Sequence, residues 1–449
     1  MAAALGLAHL ALFIHDLAST AGFFRADRAT QRFNAMRALL GSLGDHDAML
    51  DALVRKGNIG DYGVHAALYW LGGPLAVIVL QILLAIAAAL AVVYIAWRAF
   101  KSRGIALAAG LLYGLLPQSL AFPHQLLSEA VSNPCLILGT AGVLLALEQP
   151  RRWVRWLTAG LALGLAGLVR PALILVAPMA AVLLLMLDRG RASWTRSAAL
   201  LLAGLVPFVL WGSFIWSQTG KFGPGESNQD LGLNFSQSTG KVLLSEGIAS
   251  PDGTAPGWLP KRLTLEQYAH YVSTYPAGFA NLYFKNALVM VTDSGIGRLY
   301  VDLLGFGADE RLALQDPARG WRAQLTNHGP LAMLRQGWRV APGTMIAGTL
   351  GALGFFIVNV GMLAAYVASC RRRSPLRDRF AALDQRWCLA FLLLLPLYVL
   401  ATSEVVAYAP SRLRSQGEFA VAILACYGWT VLRDAWRARR EMRSAAVPA

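Results

Sequence analysis

The sequence predicts an all-α polytopic membrane protein: about ten transmembrane helices, juxtamembrane helices on the outer face, and one large outer loop segment. Three observations carry that reading. Hydrophobic residues make up 56% of the 449-residue chain and charged residues only 14%, against about 25% charged in an ordinary soluble domain. Apolar runs of about 20 residues, the length that crosses a bilayer as a helix, recur along the chain. The basic residues then sort by side, as described below. The composition excludes an ordinary cytosolic enzyme. It also excludes a disordered chain, which needs low hydrophobicity and high charge. A net charge of +15 would suggest nucleic acid in a soluble protein. Here its placement reads as a membrane-orientation signal, and no nucleic-acid partner is expected.

The first candidate span is 5–24. It lacks a basic leading region and carries His15 and Asp16 inside its apolar run, so it reads as a retained helix rather than a cleaved signal. In the following loop, 25–74, Phe33, Met36, Leu40 and Leu43 recur at helical spacing. That pattern predicts an amphipathic helix in the outer interface; Ala66–Leu71 is read as a second. Spans follow at 75–97, 104–121 and 130–147. The run 157–187 is too long for one span and is interrupted by Arg170 and Pro171. Proline breaks the helical ladder, so two short helices are predicted, 157–169 and 171–187. Further spans are 196–216, 346–369, 386–403 and 416–432. The hydrophilic segment 217–345 contains TGKFGPGESNQD, STG and SPDGTAPG, which are turn and loop signals. Its stretch Ala277–Val291 is too short and interrupted to span.

Orientation follows from the arginines. Arg98, Lys101 and Arg103 share one short connection, Arg151, Arg152 and Arg155 the next, then Arg189, Arg191 and Arg196; six arginines fill 371–386 and five follow residue 432. The opposite connection 122–129 has no Lys or Arg. The positive-inside rule places both termini in the cytoplasm. Only the loop 25–74, outer yet carrying several arginines, runs against it. Trp97, Trp153, Trp156, Trp194, Trp387 and Trp429 stand at the proposed helix ends, as an interfacial belt should.

There is no P-loop, GxGxxG, HExxH or GxSxG, which argues against an ATP-driven pump and a soluble-type hydrolase. Cys135, Cys370, Cys388 and Cys426 lack CxxC spacing, so neither a zinc site nor a disulfide framework is indicated. Ionisable groups converge at the outer face in four places: Asp27 in GFFRADRATQRF, His124 and Glu129 in FPHQLLSEA, Arg170 at the helix break, and Arg412 and Arg414 in YAPSRLRSQGEF. An acid there accepts a proton from a nucleophile, and cations hold an anionic leaving group. Bland readings stand beside these. Asp27 is also a good N-cap for the helix that follows. Glu129 suits a solvated helix start. Arg170 has the alternative of a structural partner inside the bundle, and Arg412 and Arg414 that of lipid headgroups. Asp45, Asp47 and Asp61 read as surface carboxylates.

The order of these features resembles the GT-C superfamily of membrane glycosyltransferases, in particular lipid A aminoarabinose transferases and protein O-mannosyltransferases. An outer acid and a juxtamembrane helix come first, followed by GDYGVHAALYWLGG, LLPQSLAFPHQLLSEA and TAGLALGLAGLVRPALIL. The likeness covers roughly 1–240 and continues through YAPSRLRSQGEF. It implies an inverting transfer of a sugar from a polyprenyl phosphate carrier to a lipid, glycan or protein acceptor, at the periplasmic face of a bacterial inner membrane. Asp27 matches the catalytic base, with Asp61 or Glu129 next in line. Glu129 matches the acid of the second outer loop and Arg170 the cation near the carrier phosphate. Arg412 and Arg414 match a basic pair before the last helix. Relatives often carry two adjacent acids where this chain has Ala26 and Arg28 around Asp27, which argues against a two-carboxylate metal site. No cofactor is expected, and divalent-metal dependence is open. In these terms 1–216 is a transmembrane catalytic module, 217–345 a periplasmic segment over the site, and 346–449 the C-terminal helices and cytoplasmic tail. The rival readings are an O-antigen ligase or polymerase using a diphosphate carrier, and a lipid or glycan transporter. A transporter is expected to show paired broken helices in matching halves, and the sequence has only one Pro-broken pair.

Overall fold

The structure, a computed structural model, describes residues 1–18, 40–41, 59–220, 222, 227–248, 263–292, 296, 330–370, 382–404 and 415–445. The described residues are almost wholly helical and contain no strand. In chain order the helices are α1 (Ala2–Ala18), α2 (Ile59–Phe100), α3 (Arg103–Leu115), α4 (Pro117–Ala121), α5 (Glu129–Glu148), α6 (Trp153–Val169), α7 (Val176–Leu187) and α8 (Arg191–Thr219). They continue as α9 (Ser227–Ser245), α10 (Leu265–Thr274), α11 (Pro276–Thr292), α12 (Pro330–Val340), α13 (Pro342–Cys370), α14 (Leu383–Glu404) and α15 (Glu418–Ala445). Among the described residues, stretches of α2, α5, α8, α13 and α14 are long and apolar enough to cross a membrane, and the bent pair of α3 with Pro117–His124 makes a sixth. Ala2–His15, α6 and Pro171–Leu187 are apolar but shorter. The protein is a polytopic helical membrane protein. The expected interfacial helix around Phe33–Leu43 lies mostly outside the described residues.

Three breaks shape the bundle, each with a local cause. Inside α2, Gly73 adopts φ 68°, ψ −165° beside Gly72 at φ −175°, and Pro74 follows. Only glycine takes that Gly73 conformation freely, and Pro74 suits the start of the next helical run. The stretch around Ala66–Leu71 is therefore the tilted first leg of α2. It is two-sided, with His65 and Ala66 buried while Trp70 and Leu71 are exposed. At Leu116 the backbone turns extended (φ −58°, ψ 137°) ahead of Pro117, because the proline ring disfavours a helical residue before it. The single straight span expected at 104–121 is thus corrected to two helical pieces bent by 59°. The same rule acts at Arg170 (φ −138°, ψ 102°) before Pro171, where the expected break occurs. A short 3-10 turn, Pro171–Leu173, then leads into α7.

The main core joins the inner faces of α2, α3, α5, α6, α7, α14 and α15. Two glycine seams bring helix backbones together. A methyl group at Gly164 would run into the backbone of Gly204, and one at Gly428 into the carbonyl of Gly361; these set the α6–α8 and α13–α15 contacts. Of the six tryptophans read as an interfacial belt, Trp97, Trp153, Trp194 and Trp429 are exposed. Trp156 and Trp387 are instead fully buried. Each satisfies its indole N–H on a backbone carbonyl, Pro150 at 3.3 Å and Ala180 at 3.1 Å, which is what makes a core tryptophan tolerable.

The arginine-rich end of the bundle is tied by one cluster. Arg98 at the end of α2 pairs with Glu148 at the end of α5 and with Asp384 at the start of α14. The Tyr94 hydroxyl donates to Glu148 at 2.9 Å. At the same end, Ser193 and the Gly190 N–H donate to Asp188 and hold its carboxyl below the usual range.

The segment 217–345, expected as turns and loops, is helical where it is described. Ser236, Ser238 and Gly240 lie within α9, while α10 opens with a capping box: Gln267 N–H donates to Thr264 Oγ1 at 3.2 Å and Thr264 N–H to Gln267 Oε1 at 2.9 Å. Phe235, Val242, Tyr268 and Phe279 form its small core.

The glycine seam gives a direct test of the packing. Gly428→Leu should lower stability by about 1–3 kcal/mol through overpacking, seen as an earlier thermal midpoint of the purified protein. Gly348→Leu, with open space around it, should leave the midpoint unchanged.

Candidate active site

At the end of the bundle opposite the Arg98 cluster, polar side chains are buried together. Arg170 stands there because Pro171 ends α6, and its extended backbone lets the guanidinium turn into the bundle. Glu129 opens α5, where the helix dipole favours a negative charge. Arg170 Nη1 lies 2.7 Å from Glu129 Oε1, with 8% and 0% of the two side chains exposed. Ser128 Oγ donates to the other Glu129 oxygen at 3.0 Å. From the turn before α15, the Gln416 side-chain oxygen accepts from Arg170 Nη2 at 3.2 Å and from Nε. Asn133, one turn beyond Glu129, donates to Ser415 Oγ at 3.1 Å. Three connections far apart in sequence therefore meet on one guanidinium. Burial of this kind requires partners, since an unpaired charge inside a membrane protein is costly.

A second polar group adjoins it through the 122–129 connection. His124 Nε2 lies 3.1 Å from His9 Nδ1 of α1, with the rings stacked at 5.4 Å. Just past the kink of α2, Gln81 accepts from His65 Nε2 at 3.0 Å. It donates to the carbonyl oxygens of Pro123 at 3.0 Å and Gln125 at 3.3 Å. The Gln125 side-chain amide, 2% exposed, has no hydrogen-bond partner among the described residues. Glu418, in the first turn of α15, is a further buried carboxylate.

The site residues anticipated from sequence thus fall into two groups. Arg170 and Glu129 come together, and His124 lies on the same connection as Glu129. The reading of Glu129 as a solvated helix start is corrected: it is 1% exposed, held inside by Arg170. Asp27, Arg412 and Arg414 lie outside the described residues, and Asp61 falls at the helical start of α2 with its side chain outside them. His9, Gln81, Asn133, Ser415, Gln416 and Glu418 were missed. Their signal was present as uncharged or acidic polar residues next to long apolar runs, where each needs a partner. Among the described residues no three His, Cys, Asp or Glu side chains gather as a metal cluster.

A buried cation at a helix break, ringed by carboxylate, amide and hydroxyl groups at one end of an apolar bundle, is the arrangement of a membrane-embedded polar site. Residues 71–216 match the family described as dolichyl-phosphate-mannose-protein mannosyltransferase. The matched segment covers about a third of the chain and includes both Glu129 and Arg170. Among solved structures, the chain is similar to the apo oligosaccharyltransferase of Archaeoglobus fulgidus, with 12% identity and a TM-score of 0.47 over 97% of this chain and 52% of that one. It is also similar to ArnT from Cupriavidus metallidurans bound to undecaprenyl phosphate, with 15% identity and a TM-score of 0.39 over 94% and 76%. The chain spans about half the length of the oligosaccharyltransferase, and at these values nothing further rests on either likeness. Among curated protein sequences none matches the chain.

The ion pair makes a stability prediction. Glu129→Gln leaves Arg170 buried without its carboxylate and should cost about 3–5 kcal/mol, a large drop in thermal midpoint. Combining it with Arg170→Met removes both charges and should recover most of the loss. A single variant that melts like the unsubstituted protein would mean the pair does not hold the bundle.

Proposed function

We propose that the chain is an inverting glycosyltransferase that moves a sugar from a polyprenyl phosphate carrier to an acceptor at the periplasmic face of a bacterial inner membrane. The observation that carries this reading is the buried Arg170 at the Pro171 break, paired with Glu129, inside the segment that matches the mannosyltransferase family. A lipid-linked sugar needs apolar surface for its tail and a cation for its phosphate, and no nucleotide fold. Arg170 faces the phosphate, and its planar donors suit phosphate oxygens as they suit a carboxylate. Glu129 and Gln416 hold the guanidinium in place before the carrier arrives. Arg412 and Arg414 add positive charge from the connection just before Gln416.

In the transfer itself, Asp27 removes the proton from the acceptor nucleophile as that atom attacks the anomeric carbon from the face opposite the phosphate. The bond from carbon to phosphate oxygen breaks in the same step. The negative charge that develops on the leaving phosphate is stabilised by Arg170. The acceptor is a lipid, a glycan or a protein. The segment 217–345 covers the site and shapes acceptor choice, and the arginine-rich end faces the cytoplasm.

Two substitutions separate the roles. Asp27→Asn keeps size and capping ability, since Asn and Asp cap about equally, but removes the base. Turnover of polyprenyl phosphate-linked sugar should fall by about 10²–10⁴ with carrier affinity little changed. Near-normal turnover would move the base to Asp61 or Glu129. Arg170→Ala should instead weaken carrier binding strongly, with Arg170→Lys retaining part of it. A folded Arg170→Ala protein that binds polyprenyl phosphate as before would remove the phosphate role.

A further inference from the structure

The last helix continues well beyond its packed part. In α15, residues 418–425 are buried in the bundle, whereas Leu432–Met442 are exposed throughout. The apolar part, Glu418–Leu432, measures about 22 Å at 1.5 Å per residue. The hydrocarbon core is about 30 Å thick. The next two turns, ending about 33 Å along the helix, therefore reach the edge of that core, where the headgroups begin, rather than open water.

Those turns have an ordered face. With 3.6 residues per turn, Trp429, Leu432, Arg433, Trp436, Arg437 and Arg440 lie within an arc of about 140°. Asp434 and Glu441 fall outside it. Trp429 is 42% exposed and Trp436 57%. Arg440 sits over the Trp436 ring at 4.6 Å. Arg433 meets only its neighbour Asp434 at 3.3 Å, with both side chains more than half exposed. An exposed pair of that kind holds its arginine weakly. Indole rings on the same face as the guanidinium groups suit a boundary layer: the rings enter the interface while the cations remain at phosphate level.

We propose that this Trp–Arg stripe of α15 is a binding surface for the phosphates of anionic phospholipids in the adjacent leaflet. The inference rests on the membrane fold and on helix length, and is independent of the sugar-transfer reading. The stripe anchors the inner end of the helix whose other end presents Gln416 to Arg170.

The test uses the full chain, purified and placed in nanodiscs of phosphatidylcholine with or without phosphatidylglycerol, with bound lipids counted by native mass spectrometry. The unsubstituted protein should retain phosphatidylglycerol over phosphatidylcholine. Arg433→Gln, Arg437→Gln and Arg440→Gln together should lose that preference, by about five-fold per arginine at low salt and less at high salt. A control triple in the short connections of the same end, Arg103→Gln, Arg151→Gln and Arg152→Gln, should keep it. Equal losses from both triples would mean that the whole basic face attracts lipid and the stripe is no site. An unsubstituted protein with no preference for phosphatidylglycerol would leave the stripe to an acidic protein surface and overturn the proposal. All six arginines point away from the core, so folding failure is not expected; an unchanged thermal midpoint checks it.

Discussion

The pairing of Arg170 with Glu129 is the constraint on which the site end of the bundle depends. A guanidinium with its charge in an apolar bundle must be matched, and only a carboxylate from another helix matches it fully. That requirement fixes the start of α5 against the end of α6. Gln416 extends the hold to the start of α15, and Asn133 reinforces it through Ser415. The break at Pro171 gives Arg170 the extended backbone that such a position needs. One proline, one cation and one acid thus draw together connections lying near residues 129, 170 and 416.

The opposite end repeats the device with different members. Helix α5 carries Glu129 at one terminus and Glu148 at the other, separated by about 28 Å of helix. Glu129 answers Arg170, and Glu148 answers Arg98 together with Asp384. The apolar length between the two pairs is close to a bilayer's hydrocarbon thickness. Both ends of the packed helices are therefore set by charge pairs, with glycine seams and the aliphatic core filling the middle. On the proposed function, such pairs would hold the site in one arrangement next to lipid. Rigidity of that kind is what a preorganised cation for a leaving phosphate requires.

Much of this architecture was legible in the sequence. Apolar runs and the Arg170–Pro171 interruption gave the break between α6 and α7, because proline acts on its immediate neighbours. The same rule at Leu116–Pro117 was available, yet the apolar run across it reads as one span; only the backbone direction reveals the bend. Helices in 217–345 were hidden by glycine- and serine-rich composition, although Thr264 and Gln267 carried a capping signal. Arg170 and Glu129 could each be singled out by charge, but their contact joins residues 41 positions apart and is a property of packing. Gln416 and His9 are marked in the sequence only as polar residues next to apolar runs, and which groups they meet is again a property of packing. Trp156 and Trp387 show the converse. Position at a helix end suggested the interface, and burial is decided by which face of the helix they occupy.

The account turns on the chemistry of the donor, and one measurement addresses that directly. Purified protein in lipid nanodiscs is given a polyprenyl monophosphate-linked sugar and a mixed pool of envelope acceptors. The spent lipid and the transferred sugar are then analysed by mass spectrometry and nuclear magnetic resonance. The account predicts free polyprenyl monophosphate and a glycoside whose anomeric configuration is opposite to that of the donor. Turnover confined to a diphosphate-linked donor, or a product of retained configuration, would contradict it.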